Sequence, residues 1–105
     1  MPGSSAEVTI DAIESLVRNV SALGGRERNA AYAKLVEMVH TLRMFAEMEH
    51  SGNGYLLEKL TEVQWLAEGL AGRRSIPNTP YTRILPQLGT ALDSLRSPAC
   101  FNVYG

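Results

Sequence analysis

Cysteine occurs only once in the 105 residues of the chain, at Cys100. A single thiol excludes a disulfide framework and a cysteine-based zinc site within the chain. Long apolar runs are also missing, since no stretch approaches the ~20 apolar residues of a membrane-spanning helix. Neither sign of charge is in excess, because Lys and Arg number 10 and Asp and Glu number 11. Proteins that bind a nucleic-acid backbone usually carry a basic excess, so we expect no direct contact with nucleic acid.

The remaining composition is typical of one globular domain. Hydrophobic residues make up 45% of the chain and charged residues 20%, which suits a single hydrophobic core. We expect the domain to span 1–105, with a flexible start at 1–8 and an apolar tail at 97–105. Residues 1–5 show no basic stretch followed by an apolar one, so no signal peptide is expected there. Together with the lone thiol, this favours a reducing, cytoplasmic location.

Hydrophobic periodicity predicts helices along the whole chain. Apolar residues recur at spacings of three and four in four segments, which are separated by breaks that contain glycine or proline. The predicted helices cover 9–23, 28–50, 55–71 and 80–96. No segment shows a good strand pattern. The sequence therefore predicts an all-α, four-helix bundle-like domain with short loops and no sheet.

Five residues refine this prediction. Thr9 has the chemistry of an N-cap for the first helix. The second helix carries two adjacent apolar stripes, which predicts a central helix with Leu42 and Phe45 in the core. Gly69 lies inside the third helix. A glycine at such a position more often allows another element to pack closely than serves a function. Pro86 lies inside the fourth helix and is expected to bend or divide it.

Two segments match the Glu-x-x-His spacing of di-iron bundles, namely Glu37 with His40 and Glu47 with His50. Di-iron proteins take these motifs from different helices that face each other. Here both lie on one predicted helix, ten residues and about 15 Å apart, and they point about 80° away from each other. A single chain therefore cannot use both motifs to complete one metal site. We expect solvated charges, with Glu47 beside Arg43, and neither a metal ion nor another cofactor.

Other signatures of catalysis are missing as well. Cys100 lies outside any Cys-His or Gly-x-Ser-x-Gly context, and no glycine-rich phosphate loop is present. A buried or tail thiol is the expected role for Cys100. The pair Arg73 and Arg74 is expected to complement the carboxyl end of the third helix. The sequence thus predicts a protein that is not an enzyme.

Several aromatic and apolar residues fall outside the predicted stripes, and protein interfaces are enriched in such aromatic side chains. The candidate partner-binding residues are Tyr55, Trp65, Phe101, Val103 and Tyr104. An alternative for the last three is that the tail folds back and caps the bundle. The two interpretations are compatible, because a capped bundle can still present Trp65.

The run from Ala30 to Val39 reads Ala-Ala-Tyr-Ala-Lys-Leu-Val-Glu-Met-Val. With the chain length and the helical pattern, this run resembles the QslA family of small pseudomonad quorum-sensing antiactivators. The resemblance implies a non-catalytic protein that binds a LuxR-type transcription activator and blocks its dimerisation, and thereby its DNA binding. The resemblance assigns no functional residues to this chain, because the two share no motif that contains such residues.

Two other classes of function remain open from the sequence. One is a helical oligomeric adaptor or chaperone that binds another protein client. The other is a small metal-dependent helical enzyme that uses the Glu-x-x-His residues. A helix face broad enough to cover a partner also self-associates, so we expect a homodimer.

Overall fold

The computed structural model describes residues 5–101. Four α-helices make up most of this range, and no strand occurs within it, which confirms the predicted all-α class. A short 3-10 turn, Val20–Ala22, follows the first helix. The helices are α1 Ser5–Asn19, α2 Gly25–Glu49, α3 Gly54–Leu70 and α4 Tyr81–Leu95.

The helices form a closed ring of neighbours. α1 packs on α2, α2 on α3, α3 on α4, and α4 returns to α1. No diagonal pair of helices packs together within residues 5–101. Because each helix has two neighbours, the prediction that α2 is the central helix is wrong. The outer face of α2 instead leaves Met44 and Met48 exposed to solvent.

The start of α1 differs from the prediction. The helix begins at Ser5, so the expected N-cap at Thr9 is wrong, and residues 5–8 are helical rather than flexible. Ala6 lies one turn before Ile10 on the same face, and both side chains are buried. Burial of this extra turn therefore outweighs the local capping signal. Residues 1–4 of the expected flexible start lie outside the described residues.

The remaining helices match their predicted ranges closely. α3 begins one residue earlier than expected because Asn53 caps it, its Oδ1 accepting a hydrogen bond from the amide of Leu56 at 3.0 Å. After α3, Gly72 adopts a left-handed conformation with φ of 74°. Its amide donates to the carbonyl of Gly69 and that of Arg73 donates to the carbonyl of Glu68, as in a Schellman C-cap.

α4 runs unbroken through Pro86, so the proline does not divide it. Pro86 is the sixth residue of the helix, and the amide that it lacks would have bonded to the carbonyl of Thr82, close to the helix start. After α4, the chain turns back on the bundle. The amide of Phe101 donates to the carbonyl of Leu95 at 3.1 Å, and Cys100 is buried.

The core is built from the apolar stripes that the periodicity predicts. No polar or charged side chain among the described residues is buried. Their carboxylates, guanidinium groups and imidazoles therefore lie at or near the surface, whereas the thiol of Cys100 is buried. Leu42 is fully buried, as expected, whereas Phe45 is only partly buried. Gly69 is buried, and a Cβ there would lie 2.8 Å from Cγ1 of Ile76. This approach matches the reason that the sequence suggests for a glycine.

Candidate functional site

Trp65 is a large, exposed aromatic residue on the outer face of α3. Half of this residue remains exposed. A single exposed apolar residue is ordinary, but Trp65 does not stand alone. It borders a groove toward α4, and it shares a second groove toward α2 with Met44, which is also about half exposed. We call Trp65, Met44 and these two grooves the Trp65 surface.

Arg74 holds the ring of Trp65 from one side. Its guanidinium carbon lies 5.1 Å from the ring centroid, which is a cation–π distance. Its Nε donates to Oε1 of Glu68 at 2.9 Å. The left-handed turn at Gly72 brings Arg74 back along α3, so Arg74 pairs with Glu68 and covers Trp65. The side chain of Arg74 therefore does more than complement the helix end, which was its expected role.

The groove between α3 and α4 has a volume of about 450 Å³. Its floor is apolar, because Leu66 is buried and Ile76 is partly buried against the core. Ile76 can lie this close to α3 only because Gly69 has no side chain. The rim carries two carboxylates, those of Glu58 and Glu62.

The groove between α2 and α3 has a volume of about 400 Å³ and is crossed by Arg43. Nε of Arg43 donates to Oε1 of Glu47 at 3.1 Å, which confirms the pair predicted from the sequence. Nη1 donates to Oγ1 of Thr61 at 2.9 Å and to Oε1 of Gln64 at 3.3 Å. Arg43 thus ties α2 to α3 through Nε and Nη1, and it supplies a polar wall beside Met44.

The other predicted partner-binding residues lie elsewhere. Tyr55 is about half exposed, but it precedes Trp65 by ten residues on α3, which is about 15 Å along the axis. Phe101 packs against the core, and its ring meets the ring of His50 edge-on at 5.7 Å. The described part of the tail therefore folds back on the bundle. Val103 and Tyr104 lie outside the described residues.

The structure does not bring the Glu-x-x-His residues into one site. No group of three or more His, Cys, Asp or Glu side chains able to hold a metal ion occurs between residues 5 and 101. His40 is exposed at the groove between α2 and α3, whereas His50 lies against Phe101. Cys100 is buried, and this burial raises the pKa of its thiol. A neutral, shielded thiol is a poor nucleophile.

Comparison of the chain with known protein families, with curated proteins and with solved structures finds no match. Within residues 5–101, no helix is both long and apolar enough to cross a bilayer.

Proposed function

We propose that the chain is a non-catalytic regulator that binds another protein through the Trp65 surface. The observation that carries this proposal is Trp65 itself, half exposed between two grooves and held by Arg74. Tryptophan is enriched among the residues that dominate binding energy in protein interfaces. A ring that is already held in place loses little conformational freedom on binding, so more of the contact energy appears as affinity.

The partner that we propose is a LuxR-type quorum-sensing activator in the cytoplasm. In this proposal, the chain covers the surface that the activator uses for its own dimer and thereby prevents DNA binding. Inhibition of this kind needs binding alone and no chemistry. The support for this partner is the resemblance of the run 30–39, whose residues Ala31, Tyr32, Leu35 and Val39 are buried. These four residues contribute to the packing of the helices, whereas the Trp65 surface is the part of the chain that we propose contacts the activator.

The test uses a purified ligand-binding domain of a LuxR-type activator. The chain contains one tryptophan, so the emission of Trp65 reports on its surroundings, provided that the activator's own emission is subtracted. We expect saturable binding, loss of the activator dimer in light scattering, and loss of its DNA complex in a gel shift. Trp65→Ala, which has no tryptophan emission and is compared with the wild type by light scattering and gel shift, should weaken binding at least tenfold, and Tyr55→Ala, the matched control, should leave it unchanged.

Two results would count against this proposal. Equal binding by Trp65→Ala and the wild type would remove the Trp65 surface from the interface. Failure to bind any folded activator, together with binding to an unfolded client protein, would favour the chaperone alternative. A homodimer also belongs to the proposal, and light scattering of the isolated chain should give twice 11.5 kDa.

A further inference from the structure

We infer that the groove between α3 and α4 receives an amphipathic helix of the partner that carries Lys or Arg beside its apolar stripe. An apolar side chain of that helix lies next to Trp65, and its basic neighbours reach Glu58 and Glu62. The inference rests on the proposed function and adds the chemistry of the partner.

The shape of the groove fits a helix. Glu58, Thr61, Glu62, Trp65 and Leu66 line one wall, and their spacing of three and four places them on one face of α3. From Glu58 to Trp65 this face extends about 10 Å, or two helical turns. The segment before α4 and Gln87 of α4 form the opposite side. Binding of an amphipathic helix in an apolar groove between helices is a common mode of recognition.

The size of the groove fits more than one side chain. A cavity of about 150 Å³ is large enough for benzene, and this groove measures about 450 Å³. Its apolar floor, formed by Leu66 and Ile76, favours aliphatic or aromatic groups over polar ones.

The charge of the groove rim determines which residues can flank the apolar stripe of the partner helix. Both charged residues that line the groove, Glu58 and Glu62, are acidic and exposed. Lys59 lies beside them and contacts Oε2 of Glu62 at 3.4 Å, so it neutralises part of this charge. Arg83 lines the adjoining hollow, which Glu62 also borders. Arg74 covers Trp65, but its charge is paired with Glu68. Glu58 forms no such pair within residues 5–101, so it gives the groove lining a negative charge, which attracts a basic helix and repels an acidic one.

The second groove is less suited to this role. Arg43 spans it and directs its donors to Glu47, Thr61 and Gln64. Because the charge of Arg43 is already paired with Glu47, a charged partner helix would gain little binding energy in this groove.

The probes are two 16-residue helical peptides with the same leucine stripe, one flanked by Lys and the other by Glu. The chain is titrated with each peptide while the emission of Trp65 is recorded; neither peptide contains tryptophan. We expect the Lys peptide to bind at least tenfold more tightly than the Glu peptide at low salt, and added salt to reduce the difference. The double variant Glu58→Gln, Glu62→Gln should remove this preference.

The matched control is Glu27→Gln with Glu49→Gln, which changes the net charge equally at exposed positions outside the groove. It should retain the preference. Equal binding of both peptides, no saturable binding of the Lys peptide, or a preference that survives Glu58→Gln, Glu62→Gln would each overturn the inference. A homodimer that dissociates on Trp65→Ala and on the double glutamine variant would also overturn it, by identifying a second copy as the occupant.

The same variants separate this inference from the proposed function. If Trp65→Ala abolishes binding of the activator domain and the double glutamine variant does not, only the inference fails. If Trp65→Ala leaves activator binding intact, the proposed function fails. Circular dichroism of each variant verifies that the helical fold is retained.

Discussion

The side chain of Asn53 joins the start of α3 to Ala99, 46 positions later in the chain. Its Nδ2 donates to the carbonyl of Ala99 at 2.8 Å, while its Oδ1 accepts from the amide of Leu56 at 3.0 Å. One amide group thus caps a helix and fastens the segment that follows α4. The burial of Cys100 and the packing of Phe101 depend on the position of this segment.

Replacement of Asn53 should separate these two roles. Asn53→Ala removes both hydrogen bonds and should lower the free energy of unfolding by about 1–3 kcal/mol. Asn53→Asp retains the acceptor at the helix start but loses the donor to Ala99, so it should cost less. Urea denaturation followed by circular dichroism measures both values. Equal losses for the two variants would show that the cap contributes nothing.

The sequence predicts the helices well because burial alone sets their periodicity. It fails at Thr9, where a good capping residue is overridden by the burial of Ala6. Trp65 is identifiable from sequence because it lies off the apolar stripe of its helix. Arg74 and Met44 cannot be identified as its neighbours from the sequence, because they lie on other segments that only the fold places beside Trp65. The ten-residue spacing within α3 is by itself enough to place Tyr55 and Trp65 at separate sites.

Gly69 provides a test of the wall of the groove. Helix propensity alone predicts that Gly69→Ala stabilises the chain by about 1 kcal/mol. The new Cβ would lie 2.8 Å from Cγ1 of Ile76, and overpacking of this kind costs about 1–3 kcal/mol. We therefore expect a net loss of about 1 kcal/mol in urea denaturation. In an Ile76→Ala background, where the clash is absent, the same change should be stabilising; a loss of stability there as well would contradict this explanation.

Arg96 fastens α4 to α1. Its Nε donates to Oε1 of Glu14 at 2.8 Å, and its Nη2 contacts both Glu14 and Asp11. These hydrogen bonds raise the pKa of Arg96 further above its usual range, so it stays charged at every accessible pH. Arg96→Ala should lower the free energy of unfolding by about 1–2 kcal/mol, a value reduced by the exposure of Asp11. Arg83→Ala, at an exposed position, is the control and should cost less than ~0.5 kcal/mol.

The thiol of Cys100 should make stability depend on pH in the alkaline range. Burial raises its pKa in the folded chain, whereas an exposed thiol ionises at about 8.5. Above that pH the unfolded chain releases this proton first, so the folded state becomes less stable as pH rises toward the folded pKa. Cys100→Ser should remove this contribution from the pH profile of urea denaturation. A profile that is unchanged by the substitution would contradict a buried, protonated thiol.

Arg74 should matter for binding through its effect on Trp65. Arg74→Ala removes the cation above the ring and the pair with Glu68, so the indole becomes more exposed and more mobile. We expect a red shift of Trp65 emission, little change in the free energy of unfolding because the pair is at the surface, and several-fold weaker binding of the activator domain. Arg74→Lys keeps the charge but lacks the planar group that stacks on the ring, so its affinity should be intermediate. Wild-type affinity in both variants would show that Trp65 binds without a preset orientation, and would leave the exposed area of the ring as the source of the affinity.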